Sequence, residues 1–197
     1  MASQFVRDAL TLHELGVLSK QSGKFQTLLA SVAAKQHEKV LTVRPLCPTR
    51  WTIRSSAISK AVQQYESITE ALEEMSANIG NVGSRASGLL TNLGKGSTFL
   101  GLLIALEIAE HLENLNRALQ RRETTAIGTL QAVASVIEYL MTMRSDSAFS
   151  SVFSKAEKAQ EDMDLDFIAA PRKRRPPRRY SGPAEPYQTD GVMEFYK

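Results

Sequence analysis

Cysteine is nearly absent from this 197-residue chain. Cys47 stands alone, which excludes an internal disulfide and points to a reducing compartment. Histidine is scarce as well. His13, His37 and His111 are isolated from one another and from Cys47, so no pair has the spacing of metal ligands, and no cofactor is implied. Between Leu46 and Pro48, Cys47 reads as a buried, inert thiol rather than a nucleophile. Long hydrophobic runs are missing. The most apolar stretch, Phe99 to Ala109, is interrupted by Glu107 and is too short for a bilayer, so no membrane partner is expected. The first residues carry Arg7 and Asp8 inside an amphipathic pattern, unlike a signal peptide. Gly94-Lys95-Gly96-Ser97 lacks the spacing and the preceding strand of a phosphate loop and reads as a turn. Glu161, Asp162, Asp164 and Asp166 follow one another at a helix end. They read as a solvated acidic stretch rather than a divalent-cation site, which needs carboxylates converging from rigid elements.

What is present is the balance of an ordinary globular protein, with 43% hydrophobic and 23% charged residues. The formal net charge of +3 is unevenly placed. Seven Lys and Arg against three Asp and Glu follow Pro171, six of the seven within Arg172-Lys173-Arg174-Arg175-Pro176-Pro177-Arg178-Arg179. A polyanion would therefore meet a local patch.

Helical periodicity covers most of the chain up to Met163. Phe5, Val6, Leu10, Leu12, Leu15 and Leu18 form the apolar side of a helix over about 3–19, ended by Ser22-Gly23. Phe25, Leu28, Leu29 and Val32 mark a second over about 24–38; Leu41-Thr42-Val43 is the one strand-like stretch. From about Thr52 to Ala77 the residues Ile53, Ala57, Ala61, Tyr65, Ile68, Leu72, Met75 and Ile79 predict one continuous helix, stopped by Gly80, Asn81 and Gly83. A short helix over 84–93 follows. A longer one is capped by Ser97 and reaches Gln120, with Phe99, Leu102, Leu103, Leu106, Leu112, Leu115 and Leu119 all expected in the core. Thr124 or Thr125 caps the next, whose apolar side is Ile127, Leu130, Val133, Ile137, Leu140 and Met143. Ser145-Asp146 opens a last helix carrying Phe149, Val152, Phe153 and Ala156. The expected fold is all-α, an irregular multi-helix bundle followed by a proline- and arginine-rich extended strap.

Two segments depart from this helical background. Pro45-Leu46-Cys47-Pro48-Thr49-Arg50-Trp51 holds the only tryptophan beside an arginine, and its prolines forbid a helix. Such a rigid ledge suits an indole that stacks on a nucleic-acid base while Arg50 meets a phosphate. It equally suits a tryptophan that packs against the helix it introduces. The strap holds five of the seven prolines, and its guanidinium groups match phosphate geometry. It reads as a phosphate-contacting arm, a nuclear-import signal or a solvated linker.

Leu46-Cys47-Pro48-Thr49-Arg50-Trp51-Thr52-Ile53-Arg54, followed by an amphipathic helix with Tyr65, resembles the Arg-Trp motif of hAT-superfamily transposases, nearest to transposon-derived proteins of the zinc-finger MYM-type related group. Gly88-Leu89-Leu90, the stretch Leu115 to Gln120, Met143-Arg144-Ser145-Asp146 and the strap through Tyr180 extend the resemblance. It implies the all-α insertion of an RNase H-like transposase. Residues 1–44 would border the catalytic core, 45–166 form the insertion-like domain, and 167–197 the strap with the start of a further helix. The acidic catalytic triad would lie outside this chain, and neither Asp8 nor Asp146 replaces it. By this resemblance the chain is a non-catalytic fragment, and the base-stacking role falls on Trp51.

The sites so implied are Arg50, Trp51, Arg54, Arg172, Lys173, Arg174, Arg175, Arg178 and Arg179 for nucleic acid, with no catalytic and no metal residue. The expected partners are single-stranded or hairpin DNA ends and other proteins. The expected location is the nucleus, otherwise the cytoplasm. The rival reading is a protein–protein interaction scaffold that binds no DNA.

Overall fold

A computed structural model describes residues 2–35, 40–41, 55–120, 125–169 and 192. Eight helices account for nearly all of them: α1 Ala2–Gln21, α2 Gly23–Lys35, α3 Ser55–Gln63, α4 Tyr65–Ser76, α5 Asn81–Leu93, α6 Gly96–Leu119, α7 Ala126–Met143 and α8 Asp146–Asp162. No strand occurs among the described residues, only a single bridge between Lys95 and Asp166. The expected all-α class is what the chain adopts.

The helices start where the residues allow. Helix α1 ends at Gln21 as expected, and Ser22 also opens α2, its hydroxyl accepting the Phe25 N–H at 3.2 Å. Thr125 and Ser145 cap α7 and α8 in the same way, accepting from Gly128 and Ala148. Ser97 does not cap α6. The N-cap is Lys95, and Gly96 is the first helical residue. A Cβ at Gly96 would lie 2.6 Å from the Asp166 carbonyl, so only glycine admits the chain segment after α8 against this turn. Gly96 N–H donates to Asp166 O at 3.0 Å and Asp166 N–H to Gly94 O at 2.8 Å, closing the bridge.

One apolar core runs from Leu12 to Ile168. Its completely buried large side chains include Leu15, Leu18, Phe25, Ile68, Leu72, Met75 and Leu100. Helix α4 packs between α2 and α5, while α6 is the central element, touching α1, α3, α5, α7 and α8. Tyr65 sits edge-on to Phe99, ring centroids 4.9 Å apart, and its hydroxyl donates to the Leu93 carbonyl at 2.6 Å. Thus the buried phenol is satisfied.

The structure corrects four expectations. The long helix is two: it breaks at Gln64 (φ −118°, ψ 33°), and α4 restarts at Tyr65. The buried stripe nevertheless continues through both from Ala57 to Met75, but Ile79 lies beyond the end of α4 and is fully exposed. Gly83 is not a stop but an α5 residue packed so tightly that a Cβ would sit 1.8 Å from the Asn78 carbonyl oxygen. In α6 only the first half is core: Phe99 and Leu102 are buried, Leu103, Leu106 and Leu115 are half-buried, and Leu112 and Leu119 are exposed. Beyond Ala109 no residue of α6 is buried. Finally, α7 buries no residue completely. Val133, Leu140 and Met143 are half-buried, but Ile127, Leu130 and Ile137 face solvent. Apolar residues cover well over half of this helix outside the Gln131, Ser135, Glu138 and Thr142 stripe, so periodicity alone does not say which of them turn inward.

Candidate functional site

The ledge and the strap carry every nucleic-acid residue expected from sequence. Arg50, Trp51, Arg54, Arg172, Lys173, Arg174, Arg175, Arg178 and Arg179 all lie outside the described residues, as do Thr49, Cys47 and His37. What the structure does fix is the pair of anchors on either side of the ledge.

On the upstream side, Leu41 is held by a single side chain. Gln64 accepts the Leu41 N–H through Oε1 at 3.1 Å and donates from Nε2 to the Leu41 carbonyl. The amide of a glutamine here imitates a neighbouring strand, satisfying both backbone groups of one extended residue. Gln64 itself is buried, at the break between α3 and α4. Giving up helical geometry there frees the side chain for this clamp.

On the downstream side, α3 begins at Ser55. Its N–H donates to Glu113 Oε1 at 2.6 Å and its hydroxyl to Oε2 at 2.8 Å. A carboxylate at a helix N-terminus answers both the unpaired amides and the helix dipole. Glu113 belongs to α6, so the described residue before the ledge is held from the α3–α4 break and the one after it from α6. The anion-attracting end of α3 is thereby already neutralised.

Charge follows the same division. The described residues include eleven Lys and Arg against sixteen Asp and Glu, a net of −5, in a chain whose total is +3. The excess of positive charge therefore belongs to the remaining segments, chiefly the ledge, the strap and Arg121-Arg122. A polyanion gains nothing from the helical body itself.

Sequence reading missed a cluster between α6 and α7. His111 and Tyr139 stack with ring centroids 3.4 Å apart and planes 13° from parallel. His111 Nδ1–H donates to the Glu107 carbonyl at 2.9 Å, and the Tyr139 hydroxyl donates to Glu107 Oε2 at 3.1 Å. Burial, the hydrogen bond to Glu107 and the charges of Glu107 and Glu110 hold the Tyr139 phenol above its ordinary pKa of 10.0. The cluster fixes α7 on α6 by one polar contact in an otherwise apolar seam. The i, i+4 placement of Glu107 and His111 was visible in sequence; their partner on another helix was not.

Other chemistry finds no support among the described residues. No three His, Cys, Asp or Glu side chains converge as a metal site, and Asp166 contributes through its backbone. The space between α1, α3, α4 and α6, lined by Leu12, Leu15, Tyr65, Ile68 and Leu102, has no room for a water-sized molecule. Helix α7 is, among these residues, the one helix long and apolar enough to cross a membrane, with a mean hydropathy of 1.3 over 18 residues. This apolar stretch was also missed, since its residues are interleaved with Gly, Thr, Ser and Gln. No protein-family model, curated protein or solved structure matches the chain.

Proposed function

We propose that this chain is a non-catalytic, transposase-like helical module that contacts nucleic acid through the ledge residues Arg50, Trp51 and Arg54 and through the cations from Arg172 to Arg179. The observation that carries this reading is the segregation of charge along the chain: the described helical residues carry a net of −5, and the positive excess falls in the ledge, the strap and Arg121-Arg122. The two anchors at Leu41 and Ser55 support it, because they hold the described residues on either side of the ledge sequence. A stacked indole supplies affinity without sequence preference, and arginines of the strap add phosphate contacts. The natural substrate of such a surface is a single strand or a hairpin end, whose bases are open to stacking.

The test is anisotropy titration of single-stranded and hairpin DNA at several salt concentrations. Trp51→Ala is expected to weaken binding by roughly 1–3 kcal/mol, the value of one stacked base. Replacing the six strap cations by alanine should flatten the salt dependence, because each neutralised phosphate adds to the slope. Failure to bind either DNA at low salt would exclude the reading.

A second reading, an interaction scaffold for protein partners, is favoured by the solvent-facing apolar side of α7. Under it the strap directs the chain to the nucleus and takes no part in binding. Both readings place the module in the nucleus, and tagged-chain imaging with and without the strap tests that placement.

A further inference from the structure

Helix α7 has two apolar faces. Val133, Val136, Tyr139, Leu140 and Met143 are half-buried on the side turned toward the body. The opposite side carries Ile127, Leu130, Ala134, Ile137 and Met141, all exposed, at steps of three, four, three and four. Ile127, Leu130 and Met141 are each 69% accessible and Ile137 is 53%. That alternation is the seam of a two-stranded helical coil, in which each residue fits a hole on a facing helix. A facing helix is an occupant that fits this spacing.

We propose that the occupant is α7 of a second copy of this chain, packed antiparallel about a two-fold axis at Ala134. The inference rests on the scaffold reading and names its partner.

The order of side chains along the seam is symmetric in size. Ala134 is central, Leu130 and Ile137 flank it, and Ile127 and Met141 lie outside them. A two-fold axis at Ala134 sets Leu130 against Ile137 of the second copy and Ile127 against Met141. The smallest residue then falls where the helices cross most closely. An isologous interface must be self-complementary in this way.

The polar residues beside the seam agree with the same orientation. Gln131 and Glu138 are exposed, seven residues apart on one edge. Antiparallel pairing brings Gln131 of each copy to Glu138 of the other, so that an amide N–H donates to a carboxylate twice per dimer. Parallel pairing would set the two Glu138 side chains on opposite flanks of the coil and form neither of these bonds. Glu138 is the single charged residue of α7, so nothing else on the helix opposes self-association.

The area sets the strength. Covering the seam removes roughly 500 Å² of apolar surface per copy, below the ~800 Å² per partner of a standard interface. Association is accordingly expected to be weak and reversible, with monomer and dimer exchanging.

Sedimentation of the full chain across a wide concentration range should show reversible monomer–dimer exchange. Leu130→Glu and Gln131→Glu should each raise the dissociation constant at least tenfold, and Gln131→Lys should lower it. Unchanged thermal unfolding of the monomer will show that these exposed substitutions leave the fold intact. Orientation is read by cross-linking in a Cys47→Ser background. Ala134→Cys should form a disulfide between copies and Ile127→Cys should not, whereas parallel helices would link both. A chain that stays monomeric at all concentrations overturns the proposal, as does a dimer indifferent to Leu130→Glu and not linked through position 134. Binding of phospholipid vesicles or of a different protein through the same residues by a chain that remains monomeric overturns it too, yet leaves the scaffold reading standing.

Discussion

Gln64 performs two tasks that a residue of another type cannot combine. It ends α3 by leaving helical geometry, and it spends its whole amide on the backbone of Leu41, 23 residues earlier in the chain. Gln64→Ala removes donor and acceptor together and leaves Leu41 to find water, so a loss of about 1–3 kcal/mol is expected in urea unfolding. Gln64→Leu fills the space but not the hydrogen bonds and should fall in the same range. Tyr139 offers a test that depends on pH. Its phenol holds its proton more tightly in the folded chain than the ordinary value of 10.0 implies, because of burial first and Glu107 second. A raised folded pKa contributes stability that is complete below the unfolded value and disappears as pH climbs through the folded one. The native chain should therefore exceed Tyr139→Phe at neutral pH by about 0.5–1.5 kcal/mol, the worth of the bond to Glu107. That advantage should shrink above pH ~10 as the phenol ionises in the unfolded and then the folded chain. Unfolding midpoints of both proteins on either side of that pH decide the matter.

Among the helices, α5 shows how far one element can hold opposite demands on the same residue type. Gly83 faces the turn that leaves α4, and a methyl group there would overlap the Asn78 carbonyl oxygen. Gly88, one and a half turns later, has open space around the position of a Cβ. Gly83→Ala should lower stability by roughly 1–3 kcal/mol or more through forced backbone shifts, whereas Gly88→Ala should raise it by about 0.4–1 kcal/mol by restricting the unfolded chain. Thermal unfolding of the two variants side by side gives opposite signs if α4 and α5 meet as described. No sequence pattern distinguishes these glycines, since each lies between a serine and an aliphatic residue and they differ only in what another element brings near. The same limit explains the rest. Leu72 and Met75 were legible as core because α4 alternates sharply between apolar and charged faces. Thr125 and Ser145 were legible as caps because their geometry depends on three residues alone. Gln64 was not, because its partner is distant in sequence, and the outward side of α7 was not, because its apolar surface is wider than the face that packs. The ledge and strap were read from proline, arginine and tryptophan chemistry, and their geometry falls outside the described residues.

At the level of the whole molecule, α6 divides two kinds of packing. It packs against α1, α3, α5 and α8 and buries Leu100 and Ala109 completely, while α7 rests on it with no fully buried residue of its own. Stability is correspondingly uneven, since the free energy of opening a segment follows the apolar contact it must break. Leu72, completely buried between α2 and α5, should cost about 2–5 kcal/mol on conversion to alanine. Ile127 on the outer face of α7, an exposed residue away from the core, should change stability by less than ~0.5 kcal/mol. Native-state hydrogen exchange extends the comparison to the backbone. Amides of α4 and of the first half of α6 should exchange only with global unfolding, and those of α7 through a cheaper local opening in which Tyr139 parts from Glu107. Raising the protein concentration should then slow exchange in α7 and leave α4 unchanged, because covering the outer seam with a second helix adds the contacts that a lone α7 lacks. Exchange in α7 as slow as in α4 at high dilution would mean that α7 is bound to the body more firmly than one half-buried face allows.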